Sequence, residues 1–144
     1  MAGGSALRPA RAIVAAVMLA IATGCGPAAN DMPAVALPPD SATPLDVLQA
    51  YLGAMRNGDC GIAHQLFVQP ARAGNGDLCG HVTLFSYRLT GDPLISGETE
   101  IVYGTTLTTG GSSDGSIPFG DYPWAYDLVR QPNGAWRIVS AGQG

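Results

Sequence analysis

Two hydrophobic periods share this chain, and the switch between them near Cys79 constrains its fold more than any other feature. Before the switch, Leu45, Leu48, Leu52 and Met55 recur at steps of three and four, with Val47 and Tyr51 beside them, which is the apolar stripe of a helix. After it the apolar residues alternate. Thr83, Phe85, Tyr87 and Leu89 share one face of a first strand, and Thr99, Ile101, Tyr103, Thr105 and Leu107 one face of a second. Trp124, Tyr126 and Leu128 mark a third strand, and Trp136, Ile138 and Ser140 a fourth. Helices followed by antiparallel strands predict an α+β domain with its helices packed on one face of a sheet.

The punctuation supports these elements. Thr43 is placed to cap the first helix, Pro44 suits its first position, and Asp46 stands where a capping-box acid belongs. Asn57-Gly58 ends that helix, and Asp59 caps a shorter one in which Ile62, Ala63, Leu66 and Phe67 face inward until Pro70 stops it. Residues 71–78 read as a loop. Gly91-Asp92-Pro93 and Ser96-Gly97 predict a connection too long for a tight hairpin, residues 109–121 a Gly/Ser-rich loop, and Gln131-Pro132-Asn133-Gly134 a turn.

The N-terminal residues carry a different kind of information. Arg8 and Arg11 form a basic head, and residues 12–22 are an almost unbroken apolar run, the layout of a secretory signal. A bilayer span needs about 20 apolar residues, so this run is too short to cross one. The following Ala22-Thr23-Gly24-Cys25 resembles the lipobox of bacterial lipoproteins, with Ala22 where that family usually has Leu, Val or Ile. The resemblance implies cleavage before Cys25 and lipidation of its new N-terminus. Each buried methylene contributes about 0.8 kcal/mol, and two or three chains hold a protein on a membrane without a spanning helix. A secreted protein cut at a nearby small residue is the alternative. The expected organisation is a signal peptide over 1–24, a lipidated N-terminus and Pro/Ala-rich flexible tether over 25–42, and one domain over 43–144.

Charge narrows the partners. Without Arg8 and Arg11 the chain has five Arg, no Lys and eleven acidic residues, a net charge of −6. A basic nucleic-acid surface is therefore excluded, and anionic headgroups repel the domain, which leaves anchoring to the lipid. The expected location is the extracytoplasmic face of the cell membrane.

Three cysteines become an even set once Cys25 is assigned to lipid. Cys60 and Cys79 then read as a disulfide outside the cytosol, worth about 3 kcal/mol in the chain-entropy model. The competing reading joins them with His64 and His81 as a Cys₂His₂ metal site, His64 lying one helical turn after Cys60. The Cys-x-His spacing at Cys79 and His81 is atypical for zinc, so neither metal nor cofactor is expected.

The capped helix "TPLDVLQAYLGAMRNGD", the short helix "CGIAHQLF" and the closing strand "NGAWRIVSAGQG" resemble the nuclear-transport-factor-two-like superfamily, as found in small bacterial lipoproteins. The resemblance implies a curved antiparallel sheet wrapped round helices, a cone enclosing an apolar cavity. Members include isomerases, cyclases and domains without chemistry. No catalytic residue of that family maps onto a matching position here.

Chemistry is sparse. Gly111-Ser112-Ser113-Asp114-Gly115 fits the G-x-S-x-G nucleophile elbow, but no strand-to-helix turn surrounds it and both His precede it. An isomerase or cyclase would need a buried base and an enolate-stabilising donor, for which Tyr51, Tyr87, Tyr103, Asp127 and His64 are the residues available. Asp127 alternates away from its apolar neighbours, toward solvent. The aromatic set Tyr51, Phe85, Tyr87, Tyr103, Trp124 and Tyr126 is the candidate ligand pocket, with filling of the core as the alternative; Trp136 belongs to the same group. The expected function is thus a membrane-anchored, non-catalytic binding or accessory module for an envelope protein or a small apolar ligand, with a cavity enzyme or a metal-handling protein as alternatives.

Overall fold

Thr43 starts the first helix as its side chain dictates. Its Oγ1 accepts from the Asp46 N–H at 3.2 Å, and Asp46 Oδ2 accepts in return from the Thr43 N–H at 3.1 Å. This reciprocal box satisfies two end donors, and the capping hydroxyl contributes about 1 kcal/mol. Hydrogen bonding from Thr43 holds the Asp46 carboxyl below its ordinary range. The helix, α1, spans Pro44–Asn57 and ends on Gly58, whose φ of 72° is the left-handed conformation that glycine adopts without a Cβ penalty. A second helix, α2, spans Cys60–Gln65, capped by Asp59 Oδ1 on the Ile62 N–H at 3.1 Å. In this computed structural model the described residues are Met1, 32–70 and 73–143; Cys25 and the expected signal segment lie outside them. Among the described residues no helix is long and apolar enough to cross a membrane.

Four antiparallel strands follow: β1 (Val82–Ser96), β2 (Glu100–Ser112), β3 (Phe119–Arg130) and β4 (Trp136–Gly142), in the sheet order β1-β2-β3-β4. The sheet is curled, and the helices lie on one face of it, as the change of period predicts. Leu48, Tyr51 and Leu52 of α1 are fully buried with Leu66 and Phe67 after α2, Leu107 of β2, Tyr126 and Leu128 of β3 and Ile138 of β4. Each such aliphatic side chain contributes about 1.5–3 kcal/mol. Tyr51 stands edge-on to Phe67 at 5.2 Å and to Tyr126 at 5.6 Å, the preferred arrangement of aromatic quadrupoles.

Three features depart from expectation. The alternation of β1 starts on the opposite face: Val82 and Leu84 are buried, whereas Phe85 is 52% exposed. Leu84 pairs with Thr109 but Ser86 with Thr108, so a bulge of one residue turns the phase and brings Tyr87 back toward the core opposite Leu107. The segment read as a long flexible connection belongs to the strand. β1 absorbs Gly91-Asp92-Pro93 as a further bulge between Thr90 and Leu94 and reverses through a three-residue turn, Gly97-Glu98-Thr99. Proline is tolerated there because β1 is the edge of the sheet. Finally, the 109–121 loop shrinks to residues 113–118, since β2 and β3 extend into it.

The described part of the expected tether, 32–42, lies along the domain. Val35 and Ala42 pack on the core, and the Pro33 carbonyl accepts from Asn57 Nδ2 at 3.0 Å. Asp40 pairs with Arg137 at 3.7 Å and accepts from Asn133 Nδ2 at 3.3 Å.

Candidate functional site

The segment joining α2 to β1 holds a fully buried carboxylate. Asp77 is 1% exposed. Its Oδ1 accepts from the Tyr51 hydroxyl at 2.9 Å and from the Cys79 N–H at 3.1 Å, while Oδ2 accepts from His64 Nδ1 at 2.5 Å. The Tyr51 oxygen accepts in turn from the Leu78 N–H at 3.1 Å. Burial pushes the Tyr51 hydroxyl well above its ordinary pKa, so it stays a donor. One carboxylate therefore ties α1, α2 and residues 77–79 together. Cys60 and Cys79 add a covalent tie between the same parts: they are joined in a disulfide with Cα atoms 5.5 Å apart. Gly76 stands just before, with φ at +85°; a Cβ there would lie 1.9 Å from the Ala141 carbonyl oxygen of β4, so only glycine fits.

His64 and Asp77 have the form of a catalytic histidine with its orienting carboxylate. Neither lines the cleft described below, and the His64 side chain is 45% exposed. The pair serves as a clamp between elements. With their sulfurs bonded to each other, Cys60 and Cys79 offer no thiolates to a metal, and among the described residues no group of three or more His, Cys, Asp or Glu is placed to hold one.

The cleft lies elsewhere, where β2 and β3 meet the 113–118 loop. It has a volume of about 400 Å³. Leu78, Ile117, Tyr122 and Trp124 supply its apolar wall, and His81, Ser112, Ser113, Asp114, Ser116 and Gln143 its polar side. Tyr122 and Trp124 stand two residues apart on β3, hence on one face, with ring centroids 5.8 Å apart and planes 34° from parallel. The loop is locked by its own aspartate. Asp114 Oδ1 accepts from the hydroxyls of Ser112 at 2.6 Å and Ser116 at 2.8 Å and from the Ser116 N–H at 3.0 Å. These bonds, that from Ser112 foremost, hold its carboxyl down to about 2, so it is ionised at neutral pH. Ser112 Oγ accepts from the Ile117 N–H at 2.9 Å, which carries Ile117 into the cleft wall.

The six aromatics expected to line one pocket are not brought together. Tyr51 and Tyr126 are fully buried and Tyr103 is 8% exposed, so these three fill the core. Burial raises the Tyr126 hydroxyl far above its ordinary pKa, and it has no hydrogen-bond partner among the described residues. Tyr87 is half-buried against the core. Phe85 points to the solvent side, 6.4 Å from Phe119 of β3, which is 80% exposed. Trp124 alone of the six lines the cleft. Asp127 is half-buried rather than solvated, its Oδ2 taking a long bond of 3.5 Å from the Ser140 hydroxyl.

Several residues escaped the sequence reading. Tyr122 had a signal, since it continues the Trp124, Tyr126, Leu128 alternation by one step. Asp77 had none, sitting in a Gly/Asn-rich loop whose composition says solvent. Ser113 of the G-x-S-x-G match lies in a strand-to-strand turn, without the strained elbow that chemistry requires. It shares the cleft with His81, but no hydrogen bond joins the two among the described residues. Compared with known proteins, the chain matches no protein-family model and no curated protein.

Proposed function

We propose that this chain is a membrane-anchored extracytoplasmic lipoprotein whose domain, a cone-like variant of the nuclear-transport-factor-two-like fold, binds a small ligand without catalysis. The observation that carries the reading is the cleft of about 400 Å³ beside Trp124 and Tyr122. Ligand sites are typically clefts of about 300–1,000 Å³ that combine aromatic surface with convergent polar groups; this cleft falls in that range and is the more polar for its six polar residues. A cavity enzyme would want a buried titratable group in the cleft. The fully buried carboxylate, Asp77, is instead committed to three hydrogen bonds in the core. The anchor rests on the basic head, the apolar run and Cys25.

Anchor and cleft are tested separately. Cys25→Ala in the full chain is expected to move the protein from the membrane to the soluble fraction; continued tight membrane association would remove the lipoprotein reading. For the cleft, a small-molecule thermal-shift screen is expected to give a hit that raises Tm in the wild-type chain and in Phe85→Ala but not in Trp124→Ala. Saturation at 100 times Kd is worth about 2.7 kcal/mol, a readable shift for a domain of this size. A hit whose effect survives Trp124→Ala would place binding elsewhere.

A further inference from the structure

We infer that the cleft takes a neutral sugar, a pyranoside laid with its apolar C–H face on Trp124 and Tyr122 and its hydroxyls turned to Asp114, Ser113, Gln143 and His81. The inference rests on the cleft being the binding site and names what fills it.

Three observations select this class. The two rings of the apolar wall lie 5.8 Å apart with their planes 34° from parallel, and both line the cleft, so one ligand can touch both. A sugar is the small molecule that is apolar on one face and polar around its edge, and aromatic side chains suit such amphipathic contacts. The polar side of the cleft is also unspent. All three bonds to Asp114 go to Oδ1, so Oδ2 is left to accept from a ligand hydroxyl. The side chains of Ser113, Gln143 and His81 make no hydrogen bond among the described residues; together they donate and accept, as vicinal hydroxyls require.

Charge argues against the competing classes. No Arg or Lys lines the cleft, and its one formal charge is an ionised carboxylate, so phosphates and fatty acids would be repelled. A quaternary ammonium would find one carboxylate and a two-ring wall rather than an enclosing aromatic cage. Glycoside hydrolysis uses a pair of carboxyl groups across the scissile bond; the cleft has one, which fits holding a sugar rather than cutting it.

The test uses the full chain in amine-oxide micelles, free of sugar headgroups, with Trp136→Phe so that Trp124 is the sole tryptophan, excited in the long-wavelength indole band that tyrosine does not absorb. Maltose, cellobiose and diacetylchitobiose are titrated, with lauric acid and tetramethylammonium in parallel. At least one sugar is expected to shift the Trp124 emission saturably, with Tyr122→Ala and Asp114→Asn each weakening binding about tenfold or more. Because Asp114 also braces its loop, Gln143→Ala, at an exposed position, is the second variant and is expected to weaken binding by a smaller factor with the far-UV spectrum unchanged. Sugar binding undiminished in all three variants would overturn the assignment. Saturation by lauric acid or tetramethylammonium instead of any sugar would overturn the sugar but leave the cleft a binding site. Silence from every probe in a folded protein would remove both.

Discussion

Asp77→Ala is expected to destabilise the domain by about 3–5 kcal/mol and to lower Tm by more than about 15 °C. The substitution removes the acceptor of three donors at once: the Tyr51 hydroxyl, the Cys79 N–H and His64 Nδ1. Two of these belong to residues nearly or fully buried, where water cannot replace the lost partner, and an unsatisfied buried polar group costs about 1–3 kcal/mol. Asp77→Asn keeps an oxygen for Tyr51 and Cys79 but turns an amide toward His64, so its cost is expected to be smaller, about 1–2 kcal/mol. Urea unfolding of both variants measures the difference. A loss below about 1 kcal/mol for Asp77→Ala would mean that the network is not structural, and the His64–Asp77 pair would become a catalytic candidate.

Cys60→Ala is expected to cost about 3 kcal/mol, or roughly 10–20 °C in Tm, measured by calorimetry without reductant. The bridge spans 19 residues. It fastens the start of α2 to the segment leading into β1, which is otherwise a loop with little regular structure. Reduction of the wild-type protein should bring its Tm down to that of the variant, and an unchanged Tm in Cys60→Ala would set the disulfide aside as a source of stability. Because the disulfide and the Asp77 network hold the same segment to the same helices, the double variant should lose less than the sum of the two. Once either tie is gone, the segment is already partly free and the other has less to hold.

Much of the fold was legible because it depends on near neighbours. The capping box at Thr43, the stripe from Leu45 to Met55, the glycine stop at Gly58 and the alternation of β2 and β3 each need only residues a few positions apart. Pairing of Cys60 with Cys79 was the expectation from counting thiols once Cys25 is assigned to lipid, with a Cys/His metal site as the competing reading, and the structure joins the two sulfurs. The candidate pocket was less legible. Tyr51, Tyr103 and Tyr126 could line a cavity or fill a core, and nothing local distinguishes the two outcomes. Phe85 alternated correctly with Tyr87 but faces solvent, because one bulge at the edge of the sheet changes the phase between them. A bulge is set by how β1 fits against β2, not by the residues of β1 alone.

By itself, then, the sequence determined the class of the domain, the order of its helices and strands and its acidic charge, since periodicity, capping and composition act over short distances along the chain. Tertiary structure alone decided which aromatics were spent on the core, that Asp77 in a polar loop became a fully buried acceptor, and that a serine-rich turn closed over Trp124 and Tyr122 to leave a cleft. Those outcomes depend on how separate elements pack, as where Tyr51 of α1 meets Asp77, 26 positions away, and where Leu78 and Trp124 line one cleft. Burial, unlike period, is a property of the packed whole.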